Sequence, residues 1–217
     1  MIIRGNMRFE DFKRKFSGFP VVSYAQMSVL GEKDQALKNQ LSRWVRKGLV
    51  SRLRKGIYVL NGDDRKISLS RQFIANQLYF PSYVSNEYAL SFYGLIPERV
   101  ADVTSVTPRK TAEFSNEFGT FVYQHVKKDC FNGYTQIREG SGLNFLIAVP
   151  EKAVVDFIYF NIRNFKRGDP SVFTESYRFQ NLSSLRKDKI TGFAKEFRNN
   201  KLSDIAKTFR AHAGKGR

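Results

Sequence analysis

Cysteine is almost missing from this chain. Cys130 stands alone among 217 residues, which excludes an intramolecular disulfide framework and a zinc site of clustered thiolates. Histidine is nearly as scarce: His125 and His212 lie far apart, and neither belongs to a pattern such as H-E-x-x-H that sets two imidazoles on one helix face. The glycines form neither G-x-x-x-x-G-K-[ST] nor G-x-G-x-x-G, so neither of those phosphate-cradling loops is present. Ser91 and Ser141 lack a nucleophile-elbow context, and no motif around Cys130 would activate a thiolate. No apolar run approaches the ~20 residues that cross a bilayer. The first residues, MIIRGNMRFEDFKRKF, carry charge from Arg4 onward where a signal peptide needs an apolar core. The expectation is a cytoplasmic, non-enzymatic protein that neither enters a membrane nor carries a cofactor or metal.

Negative charge is the other shortage. Lys and Arg number 37 against 20 Asp and Glu, giving net +17 and a pI near 10.1, a balance that points to a polyanionic partner. The excess is not spread evenly. Residues 1–60 carry net +9, residues 61–180 net +1, and residues 181–217 net +7, so two basic ends flank a nearly neutral middle. Apolar residues make up 41% of the chain, rich in Phe and Tyr, which is enough to build a core and argues against wholesale disorder.

Spacing predicts the elements. Phe9, Phe12 and Phe16 recur at helical intervals over 8–16 before Gly18-Phe19-Pro20 stops the helix. Ser23 is placed to cap a short second helix with Tyr24, Met27 and Leu30 on one side, ended by Gly31. A third helix begins near Lys33 or Asp34 and runs to Lys47, with Leu37, Leu41, Trp44 and Val45 as a narrow apolar stripe. Residues 49–53 and 57–60 then read as two strands joined by Arg54-Lys55-Gly56. Three helices and a basic hairpin in that order predict a winged helix-turn-helix over 1–62.

The polar cluster Asn61-Gly62-Asp63-Asp64 marks a boundary, after which helices are expected at 68–79, 86–93 and 150–160 and strands at 103–106, 121–125 and 143–149. Two basic helices follow Leu182, with a disordered tail from Ala213. The fold class expected is α+β, an N-terminal winged helix followed by a mixed α/β domain over 63–217 with a basic helical segment at 181–217.

On a helical wheel, Gln35, Asn39, Ser42 and Arg46 lie opposite the apolar stripe. Asn and Gln can pair bidentately with adenine and Arg with guanine, so these four are the candidates for reading base edges. Lys38, Arg43 and Lys47 flank the row and suit phosphates, as do Arg52, Arg54 and Lys55 on the hairpin, which could also enter the minor groove. The alternative in a different class is a metal-dependent nuclease, with Glu151 and Asp156 beside Lys152 as its carboxylates. Such sites need several carboxylates converging on one point, and a helix N-terminus already accounts for Glu151. A third reading uses exposed Phe and Tyr as stacking platforms for RNA.

Several stretches also resemble one family. Tyr83-Val84-Ser85, Ala89-Leu90, Tyr93-Gly94-Leu95-Ile96-Pro97-Glu98, Val106-Thr107-Pro108-Arg109-Lys110, Phe118-Gly119-Thr120-Phe121 and Ala148-Val149-Pro150-Glu151-Lys152-Ala153 resemble the AbiEi-type antitoxins in order and separation, as does the Arg-Lys-Gly-Ile-Tyr turn of the hairpin. The match spans roughly residues 20–160. The resemblance implies an autoregulating transcriptional repressor of a type IV toxin-antitoxin system. Its partners would be inverted-repeat double-stranded DNA, bound as a homodimer, and a nucleotidyltransferase toxin. Antitoxicity would map to residues 63–217, separable from DNA binding.

Overall fold

A computed structural model describes residues 7–28 and 34–215. It is mixed α+β, with helices and two sheets. The N-terminal part runs α1 (Phe9–Phe16), β1 (Val22–Ser23), α2 (Tyr24–Ser28), α3 (Asp34–Arg46), β2 (Val50–Arg54) and β3 (Ile57–Leu60), its strands ordered β1-β3-β2 with both pairs antiparallel. Gly48 and Gly56 take the left-handed conformation (φ 68° and 83°) that ends α3 and turns the hairpin. Strand β1 was not expected from the sequence, being two residues long and lying against Ile57 and Tyr58. Leu30, Gly31 and Lys33, invoked for the end of α2 and the start of α3, lie outside the described residues.

The larger body holds a six-stranded mixed sheet ordered β6-β7-β5-β4-β9-β8: β4 (Tyr83–Val84), β5 (Val103–Thr107), β6 (Ala112–Asn116), β7 (Gly119–His125), β8 (Tyr134–Arg138) and β9 (Asn144–Ala148). Its helices are α4 (Arg71–Leu78), α5 (Asn86–Phe92), α6 (Pro150–Phe160), α7 (Lys187–Glu196) and α8 (Asn200–Lys215). Tyr123, Ser105, Val84 and Ile147 form one cross-strand row, and Tyr123 donates to the Ala75 carbonyl of α4 at 2.6 Å. The neighbouring Tyr83 points to the opposite face, where it meets Asp156 of α6. The sheet is thus sandwiched between α4 and the layer begun by α5 and α6, onto which α7 and α8 pack.

Many of the chain's aromatic residues fill this second layer. Phe157, Phe165, Phe173, Phe179 and Phe209 interlock with Tyr177 at centroid spacings of 4.7–6.5 Å, joining α6, the segment 162–179 and α8. Helix α8 runs on through Ala213, which is buried. The disordered tail expected from Ala213 is therefore corrected: Ala213 extends the row Ile205, Ala206, Phe209 by one more turn against the core.

Two apolar clusters result, and the hairpin serves both. Val50 and Leu60 are buried with Phe12, Phe16, Val22, Met27, Leu37, Leu41 and Trp44, with Tyr58 packed alongside. Leu53 and Val59 are buried in the larger core, with Ile57 packed against it. The two-residue period of a strand produces this division. Polar contacts reinforce it: Ser51 donates to Glu117 at 2.7 Å, and Asn116 donates to the Leu53 carbonyl at 3.2 Å. The linker is strapped down as well, through a Lys13–Asp64 ion pair and a 3.3 Å bond from the Lys66 amide to the Ser17 carbonyl. The expected boundary at 62/63 thus falls beside the shared hairpin, whose two faces belong to different cores.

Truncating Leu53 to Ala should cost about 2–5 kcal/mol, and both halves should respond. Urea unfolding followed by Trp44 fluorescence and by far-ultraviolet circular dichroism should give coincident transitions; a Trp44 transition unmoved by L53A would show that the clusters unfold independently.

Candidate nucleic-acid interface

Helix α3 is anchored from one side only. Leu37, Leu41 and Trp44 are buried, and Phe9 and Phe12 pack on the Trp44 indole at 5.6 and 4.8 Å between centroids. Gln40 is buried too, donating to the Met7 carbonyl at 2.5 Å, a hydrogen bond that fixes the helix against the start of α1. With that face committed, Gln35, Lys38, Asn39, Ser42, Arg43, Arg46 and Lys47 are all exposed, and no Asp or Glu occurs between 35 and 47. The structure thus brings seven of the ten expected side chains onto one surface.

Within that surface the side chains constrain one another. Gln35 donates to the Asn39 side-chain oxygen at 3.0 Å, leaving the Asn39 amide protons and the Gln35 carbonyl outside that bond. Ser42 donates back to the Lys38 carbonyl at 2.9 Å, and Arg43 donates to Gln40 Oε1 at 2.6 Å. The Lys38 ammonium sits 5.7 Å from the Tyr24 ring centroid, so α2 and α3 meet through a cation–π contact. At 1.5 Å per residue the helix is about 20 Å long, and an α-helix, about 10–12 Å across with its side chains, fits a groove about 12 Å wide.

The hairpin cations divide. Arg52 and Lys55 are exposed, Lys55 at the turn. Arg54 is turned the other way: its Nε donates to the Leu78 carbonyl at 2.5 Å and its guanidinium lies 5.9 Å from the Phe114 centroid. It holds the hairpin to α4 and β6, where the sequence reading had placed it among the outward cations. Arg54 lies just past a register shift in β2, between Arg52 and Arg54, and such an irregularity re-aims a side chain.

The chain matches no family model, and no curated protein is significantly similar to it. Among the described residues no helix is long and apolar enough to cross a membrane.

Glu151, Lys152 and Asp156, the trio considered for a nuclease, are all buried. Asp156 pairs with Lys152 through one oxygen and through the other accepts from Ser85 at 2.8 Å and Tyr83 at 3.1 Å. Glu151 accepts from the Arg186 amide at 2.7 Å. Both carboxylates are committed to protein partners and shielded from substrate, and among the described residues no three His, Cys, Asp or Glu converge. Burial pushes the Asp156 carboxyl above its ordinary range, against the pull of the Lys152 ammonium. Burial and the adjacent Asp156 push the Tyr83 phenol well up, so it stays protonated and donates. Ser85, at the N-cap position of α5, makes no side-chain cap bond and donates to Asp156 instead. The quartet's clue in the sequence was a Lys and an Asp four apart within the otherwise apolar Lys152–Ile158 run.

Asp156→Asn should therefore destabilise the fold by about 3–5 kcal/mol by leaving Lys152 buried and unpaired. The double change Lys152→Met, Asp156→Leu should cost less than the single one in urea denaturation. A double variant less stable than D156N would contradict the pairing argument.

Proposed function

We propose that this protein is a sequence-specific DNA-binding transcriptional regulator in which α2, α3 and the β2–β3 hairpin act as a winged helix-turn-helix. The observation that carries the reading is the outward face of α3. Base-reading side chains Gln35, Asn39, Ser42 and Arg46 occupy a rigidly backed helix face, flanked by Lys38, Arg43 and Lys47 for phosphates. In this reading α3 enters the major groove while Arg52 and Lys55 hold the backbone or the minor groove beside it. Arg54 contributes by keeping the hairpin in place. The restraints within the row, Gln35 on Asn39 and Arg43 on Gln40, lower the entropy lost when these side chains order on a base pair.

The nuclease alternative finds no support in the geometry, since its carboxylates are buried and paired. Nor do the aromatic residues favour an RNA platform: the exposed Phe19, Phe80, Phe92 and Tyr134 sit on separate elements.

With a site selected from random duplexes, Asn39→Ala or Arg46→Ala should weaken binding by about 1–3 kcal/mol and relax preference at one base position. Lys55→Ala should weaken all sequences alike and flatten the salt dependence by about 0.9 in log–log slope. Arg54→Ala should lower the urea midpoint and leave that slope unchanged. Intact specific binding after Asn39 and Arg46 are both replaced would refute the reading face.

The resemblance to AbiEi-type antitoxins extends the proposal to a second activity: residues 63–217 counter a nucleotidyltransferase toxin, and a dimer represses its own promoter at an inverted repeat. Because the hairpin completes the core of the larger body, a surface variant tests this better than a truncation. The full chain carrying Arg43→Ala, Arg46→Ala and Lys47→Ala should lose operator binding yet still relieve the growth arrest caused by a nucleotidyltransferase encoded beside it. Failure of the unaltered chain to relieve that arrest would leave the DNA-binding regulator alone.

A further inference from the structure

Four cations surround one cavity where α8 begins. The cavity, about 440 Å³, is lined by Lys127, Arg167, Arg198 and Lys201, with Tyr159 and Phe197 forming an aromatic wall. Among the described residues no carboxylate lines it. Among the described residues Asp204 pairs with one of these cations, 3.5 Å from Arg167 Nε in an exposed pair, a contact that exchanges readily. Asn199 caps α8, its side-chain oxygen accepting from the Leu202 amide at 3.0 Å and its carbonyl from the Ser203 amide at 3.0 Å. The amides of Asn200 and Lys201, earlier in that first turn, have no intrahelical acceptor and add to the positive field. Four cations facing one concavity raise the positive potential inside it, which favours an anion entering it.

The aromatic wall narrows the choice of anion. The Tyr159 and Phe197 rings lie 4.4 Å apart, and Phe197 is backed by the Lys152 ammonium at 4.8 Å from its centroid, so the wall is held from behind. The volume falls within the roughly 300–1,000 Å³ of small-molecule sites, and a concavity of this size admits one nucleotide where a duplex backbone would pass over its mouth. We propose that this cavity binds a free nucleotide, its phosphates among the four cations and its base against Tyr159 and Phe197. The inference is independent of the DNA-binding reading, since none of these residues belongs to the α3 face.

Calorimetric titration of the full chain with GTP, ATP, guanosine and inorganic pyrophosphate tests it. A nucleotide should bind more tightly than either guanosine or pyrophosphate, because only it offers both base and phosphates. Arg198→Ala with Lys201→Ala should weaken nucleotide binding roughly tenfold or more, with the circular dichroism spectrum unchanged, whereas Arg46→Ala with Lys47→Ala should leave it intact. Tyr159→Ala should weaken the nucleotide and spare pyrophosphate. The proposal is overturned if neither nucleotide binds at millimolar concentration, if pyrophosphate binds as well as both nucleotides, or if the Arg198, Lys201 double variant retains full affinity. It is also overturned if that variant loses duplex DNA affinity while the unaltered chain ignores nucleotides.

Discussion

A hairpin with apolar side chains on both faces has no side to leave to water. In β2 and β3 the two-residue period sends Val50, Tyr58 and Leu60 toward the helices and Leu53, Ile57 and Val59 toward the larger body, and the rest of the N-terminal arrangement follows. The helical face requires a cover, which Leu37, Leu41 and Trp44 of α3 help to provide, and this leaves α3 one free side. The other face requires the larger sheet, and the polar bonds at Ser51, Arg54 and Asn116 set the hairpin's position against it. The row from Gln35 to Lys47 is therefore presented by a helix whose rotation is fixed from beneath, on a module whose orientation is fixed by its own hairpin. In the proposed reading these side chains meet base edges, and such contacts need backing of this kind because small misplacements forfeit much of the interaction.

The larger body uses charge for a similar purpose. Helix α6 buries all of Glu151–Ile158, and a helix apolar on every side would have little preference for one rotation over another. The Lys152–Asp156 pair supplies that preference: only one rotation brings Asp156 to Ser85 and Tyr83 on the strand-to-helix junction between β4 and α5, with Lys152 over the Tyr83 and Phe197 rings. Desolvating two charges is costly, so the net gain in stability is small even though breaking the pair is expensive. Its contribution here is to select one packing of α6 on the sheet.

The features legible in the sequence were those with strong periodicity or punctuation. Leu37, Leu41 and Trp44 revealed α3 and its buried side, Gly56 the hairpin turn, and Pro150 the start of α6. The missed strands have physical reasons. Tyr83–Val84 is too short to alternate and is buried on both faces, so it carries no strand period. Ala112–Asn116 does alternate, but its inward residues are small or only half buried, and Tyr134–Arg138 is mostly exposed and polar. Composition could not show that Arg54 faces inward or that Ser85 serves a carboxylate 71 residues away, because long-range partners leave no local trace. The α3 face was readable because it depends on one helix; the site around Lys152 was not, because it draws on several elements.

The distribution of charge along the chain acquires a structural meaning from the same packing. Among the described residues the basic N-terminal segment places most of its cations on α1, α3 and the hairpin, and the nearly neutral middle forms the larger sheet and most of its aromatic second layer. The basic end is no loose tail: α7 and α8 bury Ile190, Ala194, Leu202, Ile205, Ala206 and Phe209 in the larger core, so their cations are held on rigid helices. Rigid placement separates two kinds of positive surface. Cations on a convex helix such as α3 spread their field outward and suit an extended polyanion, whereas Arg198 and Lys201, with Lys127 and Arg167 brought in from elsewhere, converge on a concavity and concentrate it. Net charge of the same sign in the two ends therefore does not imply one shared ligand, since curvature decides what each can hold.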